Sequence, residues 1–394
     1  MSQGQTREAL TGLRFWAALH VVVFHFGGAW MELAPGWMQA ISLCGYASVG
    51  LFFVLSGFVL AYNYLSPDGR MTVGRRAFWS ARAARVYPVY ALALVLLAPK
   101  VIAGSLAANS AAVAAAKLAV GGGSALLLVH AWLPPASLYW NPPGWSVAVE
   151  AFFYALFPAV VGWVGLLRRE RLVWALAGLW ALGLLPSLLY LGLEPDGGPV
   201  TQDARGTWLA VLKFNPVLRL PEFLMGVVLG RLFALETPGL KRTGALMAPG
   251  AAVLVLGAFA LSQHIPFPLM HNALLAPVYA LLVYGLARGG GWLGGFLSRP
   301  ALVRLGEASY SLYILQYPVW LAVGALVVTV EPWVELRSPR ALFAVFLPVM
   351  IGLSWLCYRY VEAPLRAWMR GALQPWVERT QRSAEGGSSG VPRA

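Results

Sequence analysis

Apolar runs of about twenty residues succeed one another along this chain with only short polar connections between them. A helix needs about 20 mostly apolar residues to cross a bilayer. On that criterion the sequence predicts about ten spans: Gly12–Glu32, Cys44–Leu65, Val86–Gly104, Trp145–Leu167, Leu172–Leu193, Leu212–Leu232, Ala245–Ser262, Asn272–Ala287, Ala308–Val330 and Ala341–Tyr360. The first run has no small-residue cleavage site after it and reads as a retained span rather than a signal peptide. An eleventh segment, 107–132, is rich in Ala and Gly and reads as a re-entrant or interfacial helix. Counting it as a crossing would invert the charge pattern of every later loop.

Composition agrees. Of 394 residues 59% are hydrophobic and 11% charged, against roughly 25% charged in a soluble domain. The fold class is all-α, a polytopic membrane protein with no soluble domain of any size. The membrane domain is expected over 1–370 and a polar, disordered cytoplasmic tail over 371–394. The net charge of +13 arises mostly in alternate short loops, which is a topology signal and not a nucleic-acid surface. Arg70, Arg75 and Arg76, then Arg168, Arg169 and Arg171, then Lys241 and Arg242 fall on one side, cytoplasmic if both termini are. Glu32, Glu194, Asp196, Asp203, Glu331 and Glu335 fall on the other, mixed with Arg205, Lys213, Arg337 and Arg340. Cys44 and Cys357 belong to opposite faces and are not expected to pair.

Ionisable residues within spans are costly and mark candidate sites. Arg14 and His25 are eleven positions apart, close to three helical turns, and so share one face about 16 Å apart. His20 points elsewhere. Ser146, Glu150 and Tyr154 recur every fourth residue and form a polar stripe. Arg82 and Arg85, one turn apart at the entry of the third span, suit phosphate groups. Ser56 and Gly57 are small residues mid-span, where helices approach closely. Arg219 and Glu222 are one turn apart and either pair with each other or contribute to a site. Tyr310, Tyr313 and Gln316 line one side of the ninth span. His130, His264 and His271 lack metal-ligand spacing and read as interfacial; no metal site is predicted.

Taken in order, Leu10–His25, Phe52–Phe58, Arg82–Pro88, Trp145–Tyr154, Ser309–Tyr313 and Val361–Arg366 resemble the motifs of the acyltransferase 3 family of bacterial membrane O-acyltransferases. The resemblance covers about Arg7 to Arg370, with one departure: Gln316 stands where many members have His. It implies transfer of an acyl group, most often acetyl, from acyl-CoA to a hydroxyl acceptor at the bacterial inner membrane, with both termini cytoplasmic. Acyl-CoA is then a co-substrate and no permanently bound cofactor is needed. On this reading Arg14, Arg82, Arg85 and Ser56 hold the CoA ester. His25 is the general base, and Glu150 orients it as a carboxylate does in a triad. Ser146, Tyr154, Arg219, Glu222 and Tyr313 contact the acceptor, a saccharide, a glycolipid or a secreted small molecule such as a macrolide. The partners are thus acyl-CoA, the acceptor and membrane lipid, without nucleic acid. Oligomeric state is not readable from the sequence. The competing class is transport of a lipid-linked sugar or small molecule, which paired interrupted helices in the two halves would favour.

Overall fold

The computed structural model describes residues 3–386 apart from 199, 203, 205, 237–243 and 331–337. Expectations placed on Asp203, Arg205, Lys241, Arg242, Glu331, Glu335, Arg337 and residues 387–394 lie outside the described residues.

The described residues form helices and no strand. The principal ones are α1 (Gln3–Phe26), α2 (Ser48–Tyr64), α3 (Arg75–Ala108), α4 (Ala111–Leu126), α5 (Gly144–Gly165), α6 (Arg169–Leu193), α7 (Pro216–Ala234), α8 (Gly244–Ala260), α9 (Ala276–Ala287), α10 (Ser309–Ile314), α11 (Gln316–Val330), α12 (Pro339–Cys357) and α13 (Ala363–Gly386). Among the described residues, seven helical stretches are long and apolar enough to cross a membrane: Arg7–Phe26, Gly45–Tyr64, Arg75–Ala108, Gly144–Gly165, Arg169–Leu193, Phe267–Ala287 and Pro339–Trp376. The runs expected at 212–232, 245–262 and 308–330 are also helical, but they are charged (α7), short (α8) or broken (α10 and α11). The expected count of ten is therefore matched by these criteria at seven places.

The departures have local causes. The first span stops at Phe26 because Gly27-Gly28 follows, and only a short helix, Gly28–Met31, takes up the remainder. The third helix begins at Arg75 rather than Val86, since nothing between Gly74 and Pro88 breaks it. Arg82 and Arg85 thus lie inside the helix rather than at its entry. The ninth run breaks at Leu315. Pro318 has no N–H to donate to the Ile314 carbonyl, and Asn141 Nδ2 donates to that carbonyl instead (3.1 Å). The segment expected to re-enter contains α4, whose 16 residues reach only about 24 Å. Tyr87 and Tyr90 on α3 donate to the carbonyls of Leu126 and Ala125 at its end (3.1 and 2.9 Å).

Helix α13 extends to Gly386, so the first part of the tail expected to be disordered is helical. Its Ala, Leu, Gln and Arg residues favour helix, and Arg76 of α3 sits over the Trp376 ring (5.1 Å).

Close packing of α2 on α7 positions the site. A Cβ on Gly57 would lie 2.1 Å from the Phe223 carbonyl oxygen, and one on Gly226 2.0 Å from that of Val54. The small residues expected at a close helix approach therefore meet a second glycine. The exposed pair Arg340–Glu32 (3.3 Å) joins α12 to the end of the short helix Gly28–Met31. Cys44 and Cys357 are free and buried.

Candidate active site

Helix α1 runs antiparallel to α2. Arg7 Nη2 donates to Asn63 Oδ1 at one end (3.2 Å), and His20 Nδ1 meets Ser48 Oγ at the other (2.8 Å). The second His20 nitrogen takes the Ile41 carbonyl (2.6 Å), so this imidazole is fully used as a helix tie. The antiparallel register gives every residue on the two helices a level.

A cavity of about 210 Å³ runs along this register from the exposed Asn63 to Val49. Its wall gathers Arg14, Ser56, Arg82, Arg85, Ser146, Glu150, Tyr154 and Tyr313. Eight residues singled out from five separate sequence motifs thus share one chamber. Near its mouth Arg82 Nη2 donates to Tyr64 OH (3.0 Å) and the guanidinium faces the Tyr64 and Tyr154 rings. Deeper in, Glu150 Oε1 accepts from Ser56 Oγ (2.7 Å) and from Tyr154 OH. Among the described residues, no ion pair within 4 Å engages Arg14, Arg82 or Arg85. Hydrogen-bonded aromatics hold part of this cationic wall, and among the described residues no carboxylate comes within ion-pair distance of it.

The expected partnership of Glu150 with His25 is absent. Helix rise from the His20–Ser48 level places His25 about 7.5 Å to one side and Ser56, with Glu150, about 12 Å to the other. Helix α5 enters at Pro143 from the His25 end, so each residue after Ser146 moves away from the histidine. Glu150 lies instead within electrostatic range of Arg14.

His25 has a different orienting group. Its Nδ1 lies 2.8 Å from Gln316 Oε1, and Gln316 Nε2 donates to the Tyr313 carbonyl (2.6 Å). The second bond fixes which end of the amide faces the ring, since only the nitrogen can donate to a carbonyl. The Nδ1 position must therefore carry the proton, and Nε2 keeps its lone pair. Between this dyad and the cavity stands a hydrogen bond from Tyr313 OH to Ser146 Oγ (2.8 Å). The tyrosine is the donor, because the Ser146 hydrogen goes to the Pro143 carbonyl (3.1 Å).

Arg219 and Glu222 do not line the cavity. They form a fully buried ion pair (2.9 Å). Arg219 Nη1 also reaches His271 Nδ1 (2.9 Å), the His271 carbonyl and Asn272 Oδ1, while Glu222 accepts from the Ala273 N–H (3.1 Å). The pair is spent tying α7 to a strained turn in which Ala273 has φ +56°. His271 and His130 are also buried rather than interfacial. His271 belongs to this network, and His130 stacks on Tyr90. Burial pushes the His130 pKa down to about 4.

One further carboxylate escaped the sequence reading as a site residue. Glu362 is fully buried, and its Oε2 accepts from Ser311 Oγ (2.9 Å) while Oε1 has no partner. It lies in electrostatic range of Arg85, Arg366 and Arg14. It sits in a single π-helical turn, Tyr358–Glu362, between α12 and α13. Such turns are rare and cluster at functional sites. A glutamate at the end of an apolar helix was the available signal.

Comparison with known proteins gives the family of the chain. A family model described as an acyltransferase domain matches residues 7–359. Acyltransferase MdmB of Streptomyces mycarofaciens is 30% identical, over 90% of each chain. The putative peptidoglycan O-acetyltransferase YrhL of Bacillus subtilis is 27% identical over 91% of this chain and 54% of its own length. O-acetyltransferase OatA of Staphylococcus aureus is 24% identical over 91% of this chain and 57% of its own. The chain thus spans little more than half of the latter two relatives. No solved structure matches it.

Proposed function

Starting from the premise that the chain belongs to the acyltransferase domain family, we propose that it moves an acyl group, in the first place acetyl, from acyl-CoA to a hydroxyl acceptor within the membrane. The observation that carries the choice of donor is the cationic wall of Arg14, Arg82 and Arg85, which no protein carboxylate neutralises within ion-pair distance. Unpaired guanidinium groups around one chamber call for a ligand rich in phosphate, since forked N–H donors match phosphate oxygens. The face bearing the N-terminus, the Arg75–Arg76 pair and Arg168–Arg169 is then the cytoplasmic one, where acyl-CoA is available.

The chain's residues then have separate duties. The arginines hold the phosphates at the cavity mouth. The extended pantetheine arm runs along the wall past Ser56, Glu150 and Tyr154, parallel to the Arg14–His25 stripe. Separation of Tyr313 from Ser146 lets the thioester reach His25. The His25 Nε2 removes the acceptor hydroxyl proton, the oxygen attacks the thioester carbonyl, and the C–S bond breaks. An ester forms, and the CoA thiolate leaves and recovers a proton as free thiol. Gln316 supplies to His25 the orientation that a carboxylate supplies in a serine hydrolase, as the asparagine does in the Cys-His-Asn arrangement. The acceptor is a hydroxyl of a carbohydrate, a glycolipid or a secreted small molecule.

The test is turnover of acetyl-CoA by the purified protein, read as thiol release in the presence of candidate acceptors. His25→Ala should lower kcat by about 10²–10⁴, the range for a general base. Retained turnover removes His25 from the mechanism. Charge reversal at Arg82 and Arg85 should abolish saturable donor binding, and unchanged affinity would make these arginines topology signals only.

A further inference from the structure

Helices α3 and α13 lie side by side and antiparallel. Arg76 meets Trp376, and the groups that act electrostatically on Arg370 are Arg366, Arg82, Tyr64 and Arg85. The antiparallel register set by Arg76 and Trp376 brings Arg82 level with Arg370, and Arg85 level with Arg366. Each helix contributes two arginines about one turn apart, so the pair presents two rungs, and both are cation against cation.

Facing helices ordinarily oppose unlike charges, because like pairs are destabilising. Here a carboxylate that acts on the ladder, Glu362, is buried behind it with one oxygen already bonded to Ser311. Among the described residues, no ion pair within 4 Å engages any of the four. Arg370 is exposed and Arg366 half-buried, while Arg82 and Arg85 line the cavity. The ladder therefore continues the cationic wall out of the chamber and onto the surface.

We propose that Arg366 and Arg370 form, with the outer sides of Arg82 and Arg85, a second anion subsite that takes a phosphomonoester of the donor, the 3′-phosphate of its nucleotide. The diphosphate and arm then occupy the inner wall. This rests on the acyl-CoA reading above. A dianionic phosphate has the charge to bridge the rungs, and charge-assisted bonds to guanidinium are the strong kind.

The test uses the full-length protein in phosphatidylcholine nanodiscs with two donors, acetyl-CoA and 3′-dephospho-acetyl-CoA. For the wild type the KM of the dephospho donor should be about tenfold higher, roughly one charge-assisted contact. In Arg366→Gln, Arg370→Gln and the double variant this ratio should collapse to within about twofold. A ratio unchanged in the variants overturns the subsite, whatever happens to absolute KM. If neither donor releases thiol, the acyl-CoA reading itself fails. The subsite is then read by equilibrium binding, in which 3′,5′-ADP should outbind 5′-AMP in the wild type and not in the double variant. Equal affinities in the wild type overturn it. Adding phosphatidylglycerol separates a lipid phosphate from a nucleotide one. A difference between wild type and variant that appears only with the anionic lipid assigns the ladder to headgroups and overturns the proposal.

Discussion

His25 Nδ1 and Gln316 Oε1 are 2.8 Å apart, and the amide is held in that sense by its bond to the Tyr313 carbonyl. A histidine used as a base must present one defined nitrogen. Here a neutral amide, not a carboxylate, selects it. Gln316→Met keeps the volume and removes the acceptor, and should lower kcat by about a hundredfold, as loss of a positioned base does. Gln316→Glu restores an acceptor toward Nδ1 and should retain more turnover than Gln316→Met. Equal activity of all three proteins in a thiol-release assay would show that the dyad has no part in the reaction.

Glu362 is a buried counter-charge behind Arg85, Arg14 and Arg366. Its replacement by Gln leaves the guanidinium cluster less compensated in the empty protein. The apo Tm should fall by several degrees, roughly 1–2 kcal/mol of stability. Saturating CoA should recover most of that loss, because the ligand supplies the missing negative charge. A thermal-shift series with and without CoA decides the matter. An equal loss in both series would mark Glu362 as a packing residue.

The Arg219–Glu222 pair is a brace. Breaking it with Arg219→Ala or Glu222→Ala strands a fully buried charge and should cost about 3–5 kcal/mol. Replacing both by apolar residues of similar size, Arg219→Met with Glu222→Leu, should be much less damaging than either single change. Monodisperse yield in detergent and Tm measure this. Single variants with normal Tm but raised acceptor KM would return the pair to the acceptor site.

His130 lies outside the spans and is neutral in the folded protein, its pKa held at about 4 by burial. The unfolded chain binds a proton near 6.5, so between these values the unfolded state holds more protons. The stability contributed by neutral His130 is complete above about pH 6.5 and is lost as pH falls toward 4. Wild type should therefore lose more Tm between pH 7 and pH 5 than His130→Asn does. Parallel pH profiles would refute the assignment.

Most of the fold was legible because bilayer spans are declared by composition. Continuous apolar runs and alternate basic loops need no knowledge of partners. The cavity residues were legible for a related reason, since Arg14, Arg82, Arg85 and Glu150 stand out against an apolar background. Partner choice was not legible. The stripe Ser146–Glu150–Tyr154 shows its face but not its level against α1, and that level decides whether Glu150 meets His25 or Arg14. Arg219 and Glu222 looked like site residues for the same reason as Arg14 did, and only their burial against His271, Asn272 and Ala273 separates brace from site. The break at Leu315 required knowing that Asn141, far away in sequence, takes the carbonyl that Pro318 frees.

The hydrogen bond between Tyr313 and Ser146 also bears on electrical insulation. The chamber opens at Asn63, and its lining goes no further than this pair and Val49. A chain that presents a polar vestibule on one face and a basic imidazole toward the other is exposed to the hazard of leaking protons. With the tyrosine seated on the serine, the lining of the chamber ends before the histidine begins. If the donor is acyl-CoA, as proposed above, the carbonyl to be transferred is admitted while the membrane's ion gradient is left intact, and the CoA withdraws on the side from which it came.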